Sequence, residues 1–95
     1  MEPATPITTY RLTDHAQTEM ARRHISVADV THVLTAPEYT EAVRPGCVVS
    51  QACVTWGTTA TTYLLRVFID IDRQPPAVVT VYRTSKIAKY GKGTA

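Results

Sequence analysis

Two hydrophobic periods divide this chain, and the change from one to the other limits what it can fold into. Before Pro37, Ala16, Met20 and His24 recur at i, i+4 and i+8 as a narrow stripe, and Val27, Val30, Val33 and Leu34 make a second helical face. From Thr40 onward the period drops to two. Tyr63 to Asp72 alternates, with Tyr63, Leu65, Val67, Ile69 and Ile71 on one face and Leu64, Arg66, Phe68, Asp70 and Asp72 on the other. One segment cannot satisfy both periods, so a helical part is followed by a sheet part.

Local signals place the boundaries. Ile7 to Leu12 predicts a short first strand. Thr13 offers an N-cap oxygen and Asp14 a charge suited to the positive end of a helix that runs to about His24. Ser26 with Asp29 resembles a capping box, opening a second helix that ends before Pro37 and turns Val27, Val30, Val33 and Leu34 inward. Thr40 to Arg44 and Cys47 to Trp56 form a hairpin around Pro45-Gly46, and Gly57 to Thr61 is a second turn. After Pro75-Pro76, Ala77 to Arg83 resumes the alternation, with Val79 and Val81 inward and Thr80 and Tyr82 outward. A last helix is expected over Ser85 to Tyr90.

The resulting order is β-α-α-β-β-β-β-α, a two-layer α+β fold with one antiparallel sheet and the helices on one face. Each helix has a single apolar stripe, which the sheet must cover. Ninety-five residues suit a single domain spanning 1–95, with an ordered core over about 7–90.

Composition removes several function classes. With 44% hydrophobic and 19% charged residues the chain is a globular protein rather than a disordered one. No apolar run approaches the ~20 residues of a membrane-spanning helix. The start, MEPATPITTY, lacks the basic and apolar regions of a signal peptide, so a cytoplasmic location without a membrane partner is expected. Cys47 and Cys53 fall on one strand about 20 Å apart, beyond disulfide reach, and read as reduced, buried small hydrophobes. There is no CxxC, GxGxxG, Walker, GxSxG or HExxH pattern, and the acids are scattered, so neither a cofactor nor a metal is expected.

Charge distribution is more telling than the net value of +2. The first 43 residues hold Glu2, Asp14, Glu19, Asp29, Glu38 and Glu41 against Arg11, Arg22 and Arg23, whereas from Arg73 onward there are only bases. Alternation puts Arg66, Thr80 and Tyr82 on the outward face of adjacent strands, beside Arg83, Ser85, Lys86 and Lys89. That grouping suits a phosphodiester, since arginine grips non-bridging oxygens bidentately and lysine adds a point charge. A plainer reading has Arg66 and Tyr82 decorating a solvated sheet, with Arg66 paired to Asp70 or Glu41. His15 shares a helical stripe with Glu19 and Arg22, beside the Ala16/Met20 stripe. It could move a proton in RNA cleavage, or simply pack in the first turn. His24 reads as a helix terminus and His32 as solvent-exposed, while Trp56 and Tyr63 could stack bases or close a core edge.

The run LTDHAQTEMARRHISVADVTHVLTAPE resembles a small uncharacterised bacterial domain family with the pattern HA-x-x-R/E-M-x-x-R, a G-I-S step, and V-x-x-V-L-x-x-P. TYLLRVFIDID and VVTVYRTSKIAKY resemble that family's closing hairpin and, more distantly, the end of BrnT-like members of the RelE ribonuclease-toxin superfamily. The resemblance covers about residues 11 to 90. It singles out His15, Arg22 or Arg23, Arg66, Thr80, Tyr82, Ser85, Lys86 and Tyr90. It implies metal-independent RNA cleavage by 2′-hydroxyl attack, with Arg66 and Arg83 stabilising the transition state, His15 or Tyr82 moving protons, and Lys86 on a flanking phosphate. His24 departs from the pattern, standing where the family step has Gly, and the acidic residue common in the last helix of BrnT-like toxins is absent.

Three functions follow as alternatives. The chain is an endoribonuclease paired with an antitoxin protein, a module that binds RNA, DNA or a protein without cleavage, or an interaction protein that forms a homodimer through an edge strand.

Overall fold

A computed structural model describes residues 6–56 and 61–84, the side chains of Trp56 and Thr61 apart. The expected last helix over Ser85 to Tyr90, and residues 57–60 of the second turn, lie outside the described residues.

Both helix starts are built by their caps. Thr13 Oγ1 accepts the Ala16 N–H at 3.1 Å and opens α1, Asp14–Arg23. Ser26 Oγ accepts the Asp29 N–H at 3.1 Å while Asp29 Oδ2 accepts the Ser26 N–H at 3.0 Å. This closed capping box opens α2, Val27–Thr35. Such a cap stabilises by about 1 kcal/mol.

The step between the helices explains the His24 departure. His24 has φ 56 and ψ 44, the left-handed region. Its N–H donates to the Ala21 carbonyl at 3.4 Å, and the Ile25 N–H donates to the Met20 carbonyl at 2.9 Å. These paired bonds form a Schellman motif, and its hydrophobic contact is supplied by Met20 and Ile25, both buried in the core. Glycine adopts this conformation freely, whereas a side chain at the position costs on the order of 1 kcal/mol.

Five strands form one sheet: β1 Arg11–Leu12, β2 Tyr39–Arg44, β3 Cys47–Trp56, β4 Thr61–Asp70 and β5 Ala77–Thr84, in the order β1-β5-β4-β3-β2. β2 to β5 are antiparallel neighbours, but β1 runs parallel to β5, pairing Arg11 with Ala77 and Leu12 with Val78. The sheet is therefore mixed, not wholly antiparallel as expected. The first strand is also shorter than Ile7 to Leu12. The Ile7 N–H is spent on the Leu34 carbonyl at 2.7 Å and the Tyr10 phenol bonds the Thr31 hydroxyl, so this segment is tied to α2 until Arg11.

Gly46 turns β2 into β3 with φ 80, and a Cβ there would lie 2.6 Å from Asp72 Oδ2. Any larger residue would meet both backbone strain and a carboxylate. β4 ends at Asp70, one residue before Ile71, whose N–H still donates to the Gly46 carbonyl of the turn at 2.9 Å. Ile71, expected inward, is 43% exposed.

A bulge shifts the phase of β5. Phe68 pairs with Thr80 but Ile69 pairs with Val78, leaving Val79 without a partner on β4. One inserted residue exchanges the two faces of a strand. Val78 therefore joins Val81 in the core, in place of the expected Val79. Thr13 secures the bulge, its N–H donating to the Val78 carbonyl at 3.1 Å and its hydroxyl to that of Val79 at 3.4 Å.

Both helices pack on one face of the sheet. Ala16 and Met20 of α1 and Val30, Val33 and Leu34 of α2 meet Ala52, Leu65, Val67, Ile69, Val78 and Val81. Val27, also expected inward, is 55% exposed. As the first residue of α2 its side chain leans back toward the cap rather than down onto the sheet. Among the described residues no helix is long and apolar enough to cross a membrane.

Candidate functional site

Register decides which side chains meet on the face away from the helices. Gln51, Arg66 and Tyr82 form one row across β3, β4 and β5, and Val49, Phe68 and Thr80 form the next. Arg66 Nε donates to Gln51 Oε1 at 2.9 Å, and Arg66 Nη1 donates to the Tyr82 phenol oxygen at 3.3 Å. The guanidinium lies 5.5 Å from the Phe68 ring centroid and 5.8 Å from that of Tyr82. The two rings are stacked, 6.4 Å apart at 17°. Cation–π contacts of this kind contribute about 0.5–1 kcal/mol each where partly exposed. Arg66, Phe68, Thr80 and Tyr82 are half-buried, while Gln51 is 1% exposed. The arginine is thus oriented by an amide, a phenol and two rings.

α1 packs on β5 and delivers a second guanidinium. Arg23 sits 6.0 Å from the Tyr82 ring centroid. Glu19, a buried carboxylate, holds it: Oε1 accepts Arg23 Nε at 3.1 Å and Oε2 accepts Arg22 Nη1 at 2.9 Å. The hydrogen bond from Arg23 keeps the Glu19 carboxyl below its ordinary range. Partial burial opposes this, and the charges of Arg22, Arg23 and His15 reinforce it. The wall beside Tyr82 is therefore supplied by Arg23. The side chain of Arg22 is 67% exposed, and His15 is exposed on the first turn of α1.

Arg83 is placed elsewhere. It pairs with Leu65, on the helix-covered side, and its guanidinium lies 5.1 Å over the Tyr63 ring. Arg66 and Arg83 are thus on opposite faces of the sheet and do not converge. Ser85, Lys86, Lys89 and Tyr90 lie outside the described residues.

The far end of the same face is a separate polar cluster. Asp70 meets Arg73 Nε at 3.4 Å and Arg44 Nη2 at 3.9 Å, opposite Cys47. Burial pushes the Cys47 thiol up, and Asp70 adds to this against the opposing charge of Arg44. Burial likewise raises Cys53, with Glu38 adding to it; the Glu38 carboxylate accepts the Cys53 N–H at 3.1 Å. Both are free cysteines; Cys47 is buried as expected, whereas Cys53 is half-buried. Among the described residues no group of three or more His, Cys, Asp or Glu side chains is placed to hold a metal ion.

Three contributors escaped sequence reading. Gln51 had one signal, a long amide within the otherwise small run VVSQACV; its pairing with Arg66 needs the β3–β4 register. Phe68 falls on the Arg66 face by alternation but reads as an ordinary apolar residue. Glu19 reads only as one member of a helical stripe. Chemically, the cluster offers oriented positive charge for phosphate oxygens and aromatic surface for a base.

The model of one protein family, a domain of unknown function (DUF4258), matches residues 12–83, and the chain belongs to that family. No curated protein and no solved structure matches significantly.

Proposed function

We propose that this DUF4258 protein is a metal-independent endoribonuclease of the toxin–antitoxin type, acting in the cytoplasm, with its substrate phosphodiester against Arg66 and Tyr82. One observation carries this reading: Arg66 is held by Gln51 and Tyr82 beside the stacked rings of Phe68 and Tyr82, with Arg23 across the phenol. An oriented cation suits charge that develops on non-bridging oxygens in a transition state. The toxin class itself rests on the distant sequence resemblance of TYLLRVFIDID and VVTVYRTSKIAKY to BrnT-like toxins.

In the proposed step the 2′-oxygen bonds to phosphorus while the bond to the 5′-oxygen breaks. The proton of the 2′-hydroxyl passes to a base, and the leaving oxygen gains one. The products are a 2′,3′-cyclic phosphate and a 5′-hydroxyl. Tyr82 or His15 moves the protons, Arg66 stabilises the phosphorane-like charge, and Arg23 holds a flanking phosphate, with Lys86 as a further contact. An acidic or ribbon-helix-helix antitoxin would cover the same face.

A second reading, RNA binding without cleavage, is favoured by the exposure of His15 and by the position of Arg83 behind the sheet. Labelled RNA incubated with and without EDTA separates the two. The nuclease reading expects cyclic-phosphate ends in both, with Arg66→Ala slowing cleavage by about 10²–10³. Intact RNA that binds wild type better than Arg66→Ala supports the binding module. A 3′-hydroxyl product refutes the mechanism, and RNA that neither binds nor breaks removes both readings.

A further inference from the structure

Among the described residues Glu19 is the one buried carboxylate, 8% exposed, and two arginines compensate it. Each arginine is held by one end only. Arg23 gives its Nε to Glu19, and its Nη groups donate to no acceptor among the described residues; Arg22 gives Nη1 alone. A guanidinium carries its N–H donors in a rigid fork, so fixing Nε aims the Nη pair, which can grip two oxygens side by side. The Arg23 side chain is 36% exposed, so a ligand can reach it.

Two cations against one anion leave a net positive charge on this turn of α1. Were Glu19 neutral, the guanidiniums of these adjacent residues would repel, and each long side chain would regain rotamer freedom that a ligand must then remove. Arg23 and Arg66 lie 6.0 and 5.8 Å from the same Tyr82 ring centroid, close enough to serve neighbouring phosphates of one strand. We infer that Glu19 is a positioning residue, fixing Arg22 and Arg23 as one subsite for the phosphate next to that held at Arg66, a role that rests on the reading of the Arg66 face as an RNA site.

The sign of one substitution tests this. Removing a negative charge beside two arginines should tighten RNA binding if only the overall field mattered, whereas loss of positioning should weaken it. The full chain is titrated with a labelled single-stranded RNA of about eight nucleotides. Glu19→Gln, its folding verified by a melting curve, is expected to bind about three- to tenfold more weakly than wild type. Asp14→Asn removes the same charge from an exposed position of the same helix and should bind no more weakly than wild type. Arg23→Ala should also weaken binding and lower the slope of log K against log salt by about one. On that background Glu19→Gln should cost about twofold or less. Arg23→Lys keeps the charge without the fork and should weaken binding about as much as Glu19→Gln; it replaces that variant if Glu19→Gln does not fold. The role of Glu19 is overturned if Glu19→Gln binds as tightly as wild type or more tightly, if Asp14→Asn is weakened equally, or if the loss persists in full without Arg23; where Glu19→Gln does not fold, Arg23→Lys binding like wild type overturns it. Arg66→Ala separates the two levels: if it weakens binding while Glu19→Gln does not, the subsite falls and the Arg66 reading stands, and if wild type binds no RNA both fall.

Discussion

Leu65, Val67 and Ile69 of β4 face the helices, and Leu64, Arg66 and Phe68, interleaved with them, face the other way. Burial separates the two sets only in part, through the half-buried Arg66 and Phe68. Val49, Gln51 and Leu64 on the second face are each 1% exposed, close to the 0% of Leu65, Val67 and Ile69. The difference lies in what burial demands. Around Leu65, Val67 and Ile69 the demand is chiefly volume, although the buried Ser50 hydroxyl shares that side, whereas on the other side Gln51 and Arg66 must find hydrogen bonds. A sheet of this size can therefore hold an aliphatic core on one surface and an oriented polar row on the opposite one, using alternate residues of the same strands.

The largest expected effect tests the volume side. Leu65→Ala should destabilise the fold by about 2–5 kcal/mol in denaturant titrations. A loss under about 1 kcal/mol would mean that the helices do not close tightly over β4. Next comes the polar side. Gln51→Leu keeps bulk but removes the acceptor of Arg66 Nε, and a loss of about 1–3 kcal/mol is expected. A neutral result would make the two faces equivalent and leave Arg66 without a structural reason to be oriented.

A smaller effect, of opposite sign, is expected at the helix step. His24→Gly should raise stability by about 0.5–1 kcal/mol by removing a side chain from a left-handed position. No gain would indicate that the imidazole makes compensating interactions. The smallest effect is a pH dependence. Because the folded-state Glu19 carboxyl is depressed, its contribution is present above the unfolded pKa and is lost as pH falls through the folded one. Between about pH 6 and pH 3 the melting temperature of wild type should therefore fall slightly more than that of Glu19→Gln. Parallel curves would show that the Arg23 contact beside Tyr82 does not depend on Glu19.

How far the sequence could be read follows from which interactions are local. Thr13, Ser26 with Asp29, and Pro45-Gly46 act within a few residues, so both caps and the hairpin turn were readable from neighbours alone. The direction of β1 and the bulge at Val79 depend on partners far along the chain, and simple alternation passes over both. The same division runs through the site. Arg66, Thr80 and Tyr82 share a face that alternation finds, while Gln51 and Arg23 reach them only through register and helix docking. Arg83 is instructive in another way. It directly follows Tyr82, so alternation already assigns it the opposite face; proximity in sequence had argued for grouping the two.

The pairing of β1 with β5 also bears on how the protein is made. Thr13 and Val79, which close this junction, are 66 positions apart. At about 5–20 residues per second, several seconds of translation separate their synthesis. Through that interval α1 and its cap exist without the strand against which they pack, and the apolar stripe of Ala16 and Met20 has no sheet to cover it. Closure of this junction in the nascent chain therefore waits for β5. A ribosome stalled before β5 would hold a chain with that stripe uncovered, a substrate for chaperones and proteases.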